Sequence, residues 1–281
     1  MSAAATSHDR GASCAWRLAP WAAADVDLVP AVDPAAPLYW QRFRARLPVV
    51  IRGLTAEWRA TSHWTFDELS ARIGARRVPV VRVHDGLLGY AKHSGMDYDQ
   101  QPFDTFARRI ALGGSPEWFL QLNPDAHLPE LVGDLDVPTY SRRAHWRDRM
   151  LTIAGTGTTT PIHRELPDNI FTVFCGEKEV ALFAPSNSRN LYAFGPFSGV
   201  PHLSAVDPRS HDADRYPRLP RARPWRCRLR AGDALLIPRG WWHAVHTVEP
   251  SIALGSWWAV GVWSLLPRAA TAYKRLFNIK T

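Results

Sequence analysis

From residue 150 to residue 260 the chain reads as short apolar runs broken by turn residues. The runs are Leu151 to Ala154, Ile162 to Glu165, Ile170 to Phe174, Glu179 to Phe183, Arg226 to Leu229, Ala234 to Ile237, His243 to Val248 and Ile252 to Trp258. Each is four to seven residues long, too short for a helix, and most are rich in Val, Ile, Leu, Phe or Trp, so all eight are predicted strands. Gly155-Thr156-Gly157, Pro167-Asp168-Asn169, Gly176-Glu177 and Ala231-Gly232-Asp233 supply turns between them. Eight short strands at this spacing predict a mainly β fold with flanking helices, built on a jelly-roll (double-stranded β-helix) core. A Pro- and Arg-rich insert, roughly 186–224, interrupts the series.

The first half has a mixed texture. Residues 1–28 are Ala- and Ser-rich and read as a loose tail. In 29–149, helices are expected at Leu38 to Leu47, Thr65 to Ile73 and Pro102 to Leu112. Strands are expected at Pro48 to Arg52, Val78 to Val83 and Trp118 to Leu122. The division is thus a mixed α/β part (29–149), a jelly-roll core (150–260) and a C-terminal stretch (261–281). In the last, Pro267 to Phe277 reads as a helix that either pairs with a second copy or caps the barrel of a monomer. Of the 281 residues 46% are hydrophobic and 21% charged, which excludes disorder, collagen and coiled coil for the bulk of the chain. Thirteen Trp demand a substantial core or an aromatic-lined pocket.

Net charge is +8, which raises nucleic acid as a partner, but only Lys92, Lys178, Lys274 and Lys280 are lysines, and a general Arg bias discounts that signal. Three cysteines without a C-x-x-C exclude a disulfide scaffold and a cysteine zinc site. The first 20 residues hold no apolar run, and the most apolar stretch, Leu254 to Leu266, is 13 residues long, too short to span a bilayer. No membrane association and a reducing, cytoplasmic setting are expected.

Three places carry chemistry. His163 and Glu165 sit two apart in a predicted strand and so face the same way. An imidazole and a carboxylate on one face can ligate a divalent metal, and one more His would complete a two-His-one-carboxylate triad. About one such His-x-acid match is expected by chance and the sequence holds one, so the pair needs context. His243 supplies it, entering a strand after a turn, the apolar strand Ala234 to Ile237 and a second turn, although a buried core histidine is the bland alternative. His246, three residues on, points to the opposite face. Lys178 shares parity with Val180 and Leu182, so if that face is interior its ammonium is buried and needs an anionic partner, which a dicarboxylate would supply. A Lys reaching solvent by its long stem is the alternative. The arginines Arg215, Arg218, Arg221, Arg223, Arg226, Arg228 and Arg230 read either as a solvated loop or as a surface for an acidic peptide or RNA.

Several segments in order resemble the JmjC and cupin-like hydroxylases over about residues 30–260: Pro48 to Leu54 with Trp58; Thr160 to Asn169; Gly176-Glu177-Lys178; Leu182 to Pro185; Leu191-Tyr192; Tyr216-Pro217; Gly232 to His243; and Trp257-Trp258. The resemblance implies that His163, Glu165 and His243 bind Fe(II), with Glu165 where Asp is commoner. It implies that Lys178 and Thr160 hold the distal carboxylate of 2-oxoglutarate and that Asn169 sits near its metal-binding end. The implied reaction couples oxidative decarboxylation of 2-oxoglutarate by O2 to hydroxylation of a substrate C–H bond. Two departures stand out. Phe119 replaces a cosubstrate-binding Tyr of some relatives, and Gly255 falls where they carry an Asn, a loss of two hydrogen bonds of roughly 1–3 kcal/mol. The family analogy favours a protein or peptide side chain as substrate. A small metabolite is the alternative, RNA comes third, and a non-catalytic binding module that retains the metal is the competing class.

Overall fold

The computed structural model describes residues 27–33, 38–88, 98–112, 118–136, 144–196, 198–210, 212–265 and 269. The strands in chain order are β1 (Asp27–Leu28), β2 (Ala31–Val32), β3 (Val49–Ile51), β4 (Arg77–Arg82), β5 (Tyr98–Pro102), β6 (Trp118–Leu122), β7 (Trp146–Ala154), β8 (His163–Arg164), β9 (Asp168–Cys175), β10 (Glu177–Phe183), β11 (Trp225–Arg230), β12 (Ala234–Ile237), β13 (Trp242–Thr247) and β14 (Ser251–Ala259). The helices are α1 (Leu38–Arg44), α2 (Arg59–His63), α3 (Phe66–Ile73), α4 (Phe103–Ala111) and α5 (Pro124–His127).

The eight strands expected after residue 150 are β7 to β14. Most extend beyond their apolar centres, because backbone pairing continues where side chains turn polar; β8 is shorter, and Glu165 lies just past its end. Two sheets result, in the orders β1-β11-β10-β13-β8 and β2-β3-β12-β9-β14-β7-β6-β4-β5. From β7 onward the chain changes sheet at every step except β10 to β11, the winding of a jelly roll. Inward residues of both sheets, among them Phe171, Val173, Val180, Leu182, Leu235 and Val245, form the core between them. At the β9–β10 turn Gly176 takes φ +75°, and a Cβ there would lie 2.0 Å from the Pro250 carbonyl oxygen, so the turn admits no side chain.

The mixed first half packs on the outer face of the nine-stranded sheet. Thr65 caps α3, its Oγ1 accepting the Glu68 N–H at 3.1 Å, and Leu69 and Ile73 turn inward. Phe103, Phe106 and Ile110 of α4 join them against Leu151, Phe174 and Leu254. The insert covers the outer face of the five-stranded sheet, where Leu191, Tyr216 and Leu219 meet Phe183, Trp242 and Ala244.

Three features depart from the sequence reading. Asp27 and Leu28, assigned to the loose tail, pair in parallel with Trp225 and Arg226. Residues 98–102, Tyr-Asp-Gln-Gln-Pro, form the sheet edge without any apolar alternation. The short helices α2 and α5 also carry too few apolar residues to show periodicity; α5 rests on Asn123, whose Oδ1 accepts the Ala126 N–H at 3.1 Å. The helix expected at Pro267 to Phe277, and pairing through it, lie outside the described residues. Among the described residues no helix is long and apolar enough to cross a membrane.

Candidate metal centre

β13 places His243 directly opposite His163 of β8, and the imidazole centroids are 4.1 Å apart. Glu165 completes the group, with one ligating atom from each residue all within 4.8 Å of one another. Local carbonyls fix both rings. His163 Nδ1 lies 2.9 Å from the Pro161 oxygen and His243 Nδ1 lies 3.3 Å from that of Trp241. With Nδ1–H donating to these carbonyls, each Nε2 lone pair is left for a metal. Burial lowers the pKa of His163, and burial followed by the neighbouring His163 lowers that of His243 further, so both rings are neutral ligands near pH 7.

The carboxylate is held on one side only. Its Oε2 accepts N–H donors from Asn169 Nδ2 at 3.0 Å and from Trp257 Nε1. Oε1 is left for the metal. Burial raises the Glu165 pKa to about 7, against the pull of the Trp257 and Asn169 hydrogen bonds. Asn169 comes from β9 and Trp257 from β14, adjacent strands of the sheet facing the two histidines. Asn169 Oδ1 is buried with no hydrogen-bond partner.

All six residues singled out in the sequence, Thr160, His163, Glu165, Asn169, Lys178 and His243, line one cavity of about 260 Å³. The β10–β13 register sets its length, since Lys178 pairs with Thr247 and Leu182 with His243. The lysine end is therefore four residues from the metal end along β13, roughly 13 Å between Cα atoms. Lys178 is 2% exposed, and its Nζ donates to Thr247 Oγ1 at 3.0 Å. Burial alone lowers its pKa to about 7, and among the described residues no carboxylate pairs with it. Thr160 Oγ1 accepts the Val245 N–H at 2.9 Å, leaving its own proton to donate. Thr158 Oγ1 is buried without a partner. His246 stands apart, as parity predicts, with Nδ1 2.9 Å from Thr159 Oγ1.

The sequence reading missed Trp257, Thr158 and Thr247. Thr158 stands two residues from Thr160 and Thr247 lies opposite Lys178 across the β10–β13 pair, but Trp257 meets Glu165 across 92 residues and only the fold brings them together. The structure shows what surrounds the two departures. Phe119 does face the cavity without a hydroxyl, yet Thr158 and Thr247 offer hydroxyls there. At Gly255 a Cβ would lie 3.2 Å from Trp257 Cη2 and Cζ2, so the indole occupies the space of the missing side chain and directs its N–H to Glu165.

A jelly roll that gathers two neutral imidazoles and a carboxylate in one cavity defines a cupin-type barrel with a candidate metal centre. The chain belongs to the cupin-like, JmjC-type family, whose domain model matches residues 40–261. Members of that family use Fe(II) and 2-oxoglutarate. The chain is 28% identical over 233 residues to the tRNA wybutosine-synthesizing protein 5 of Gallus gallus, covering 76% of this chain and 70% of that protein. It is 26% identical over 221 residues to lysine-specific demethylase 8 of Xenopus tropicalis, covering 75% of this chain and 48% of that protein. It is 24% identical over 230 residues to the Jumonji C domain-containing protein 5 of Drosophila melanogaster, covering 77% and 55% respectively.

Proposed function

We propose that this chain is an Fe(II)- and 2-oxoglutarate-dependent oxygenase that hydroxylates a C–H bond on a protein or peptide side chain. One observation carries the reading: two neutral imidazoles and a carboxylate share a cavity with a buried ammonium that has no carboxylate partner among the described residues. Such an ammonium calls for an anion, and the hydroxyls of Thr158, Thr160 and Thr247 around it suit a carboxylate. His163, Glu165 and His243 would hold the iron, and Lys178 and Thr160 the distal carboxylate. Asn169 and Trp257 fix the Glu165 carboxylate so that it offers one oxygen. When bound, the metal and cosubstrate supply oxidative decarboxylation, which releases succinate and carbon dioxide and oxidises the substrate. The residues of the chain fix ligand geometry, exclude water and hold the cosubstrate's charge.

The size of the cavity supports a macromolecular substrate. About 260 Å³ is near the lower bound for a small-molecule pocket, roughly 300 Å³, before a cosubstrate takes its share. One side chain inserted from a larger body fits that space better than a whole metabolite. The relatives named for a lysine demethylase and for tRNA wybutosine synthesis also point to macromolecules. An RNA base is the second reading, favoured by the relative named for tRNA wybutosine synthesis.

The test is anaerobic addition of Fe(II) and 2-oxoglutarate to the apo protein. A visible metal-to-ligand charge-transfer band is expected, absent in His163→Ala and weakened in Lys178→Ala. A bound metal with no band at saturating 2-oxoglutarate would leave a metal-binding module. With the band in hand, peptides and tRNA are scored for a mass gain of one oxygen.

A further inference from the structure

The insert between β10 and β11 forms a second, open cavity of about 450 Å³, with Arg189 and Arg215 exposed at its rim. It lies over the outer face of the five-stranded sheet and shares no lining residue with the metal cavity. Its wall carries Arg189, Arg215 and Arg218 with Tyr192 and Tyr216, and among the described residues no carboxylate lines it. Among the described residues none of these three guanidinium groups forms an ion pair. The arginines of β11 are different: Arg226 pairs with Glu179, while Arg228 and Arg230 pair with Glu177 at 3.1 and 2.9 Å. Of the seven arginines in the sequence row, the three on the strand are ion-paired and, among the described residues, the two in the cavity are not.

The cavity wall is built rather than incidental. The Arg218 guanidinium stacks 4.4 Å above the Tyr192 ring, and that of Arg215 lies 5.2 Å above Tyr216. The two rings meet edge to face at 5.0 Å. Tyr192 Oη accepts the Arg218 N–H at 2.8 Å, and Tyr216 Oη donates to the Ala205 carbonyl at 2.8 Å. Tyr192 holds φ +50°, in the left-handed region that a bulky side chain seldom adopts, and such strain gathers at functional positions. The Tyr216 proton is spent on the wall while Tyr192 keeps its own, so what the cavity presents to a ligand is guanidinium and one phenolic O–H, both donors.

We propose that this cavity binds the phosphate groups of a nucleotide, either free or as part of an RNA strand. Three arginines line the one depression, and among the described residues none of them is ion-paired. Planar guanidinium forks match the oxygens of phosphate. The volume admits a nucleotide-sized ligand rather than a bare ion. The proposal does not rest on the metal site.

The test uses the full chain with four probes: inorganic pyrophosphate, ADP, a short labelled single-stranded RNA and a poly-glutamate peptide. The pocket variant is R189Q/R215Q/R218Q; the control is R221Q/R223Q, two exposed insert arginines outside the cavity. Pyrophosphate is expected to bind the wild type, to lose at least tenfold in the pocket variant and to change less than twofold in the control, with R218K intermediate because it keeps charge but not the fork. RNA binding that is tighter than ADP, with a salt slope flatter by about 2 in the pocket variant, assigns the site to a strand. RNA binding no tighter than ADP assigns it to a free nucleotide. The proposal fails if pyrophosphate does not saturate, if pocket and control variants lose equally, or if poly-glutamate binds as tightly as pyrophosphate. Unchanged thermal midpoints in the variants separate these outcomes from misfolding.

Discussion

The two ends of the metal cavity are finished to different degrees. At the metal end each ligating group is already braced by the protein. Two backbone carbonyls orient the imidazoles, and Asn169 and Trp257 hold one oxygen of Glu165. At the lysine end the polar groups are left short. Among the described residues Lys178 has a single hydroxyl as partner and Thr158 Oγ1 has none. The fold pre-organises the first end and leaves the second for a ligand to complete. A metal needs fixed lone pairs, so its geometry is built in advance. An anion is attracted by a charge whose burial is otherwise costly, so that cost is left standing until the anion arrives.

The largest effect should come from removing that charge. In the folded chain burial lowers the Lys178 pKa from 10.5 to about 7. Between about pH 7 and 10.5 the unfolded chain therefore binds the extra proton, so the contribution of this group to stability rises with pH across that window. Below pH 7 both states are charged and the cost is present in full. Lys178→Met should make the apo protein more stable at pH 6, by up to roughly 3–5 kcal/mol, with the advantage shrinking above pH 7. It should also abolish binding of 2-oxoglutarate. Urea unfolding at pH 6 and pH 9 with a cosubstrate titration checks both. Equal stability at pH 6 would mean that the ammonium is already satisfied and that the two ends do not differ as described.

Much of this contrast was legible in the sequence, and the rest had a physical reason to be hidden. His163 and Glu165 fall two residues apart and His243 stands after a turn that starts the next strand, so local pattern offered the three as candidates and the family resemblance singled them out. Lys178 showed itself through its parity with Val180 and Leu182. Trp257 did not, because its role is a contact between β14 and the end of β8, and no local pattern encodes a pairing between opposite walls of a barrel. Nor does the arginine row show which members are neutralised. Arg226, Arg228 and Arg230 differ from Arg215 and Arg218 only through the β10–β11 register, which lays Glu177 and Glu179 beside the first three. Likewise, residues 98–102 pair along their backbone at a sheet edge, where side chains need not alternate.

A smaller effect is expected at the braced end. Trp257→Phe removes one of two donors to Glu165 Oε2 while keeping a ring in place. Metal affinity should fall about tenfold, the lower range for loss of a partner that orients a ligand. That hydrogen bond also stabilises the charged carboxylate, so without it the Glu165 pKa should rise above its value of about 7. The proton competes with the metal, so the pH at which binding is half-maximal should move upward. Metal titrations by calorimetry between pH 6 and 8 report both quantities. An unshifted pH profile would show that Trp257 only fills space.

The smallest effect sharpens that distinction between filling and bracing. Gly255 is not forced by its backbone, since its φ lies outside the left-handed region; what it provides is room. A methyl at that position would come within 3.2 Å of two indole carbons, tight enough that the ring must move by a few tenths of an ångström. A ring that only packs would absorb this as overpacking, at a cost of about 1 kcal/mol in unfolding stability and with no change in metal affinity. A ring that braces Glu165 must instead misdirect its N–H. Gly255→Ala should then weaken the metal two- to fivefold, less than Trp257→Phe because the donor is displaced rather than deleted. In the double variant the two effects should not add, because once the N–H is gone its displacement costs nothing. Fully additive losses in metal affinity would mean that Gly255 acts on the centre through β14 itself and not through the indole.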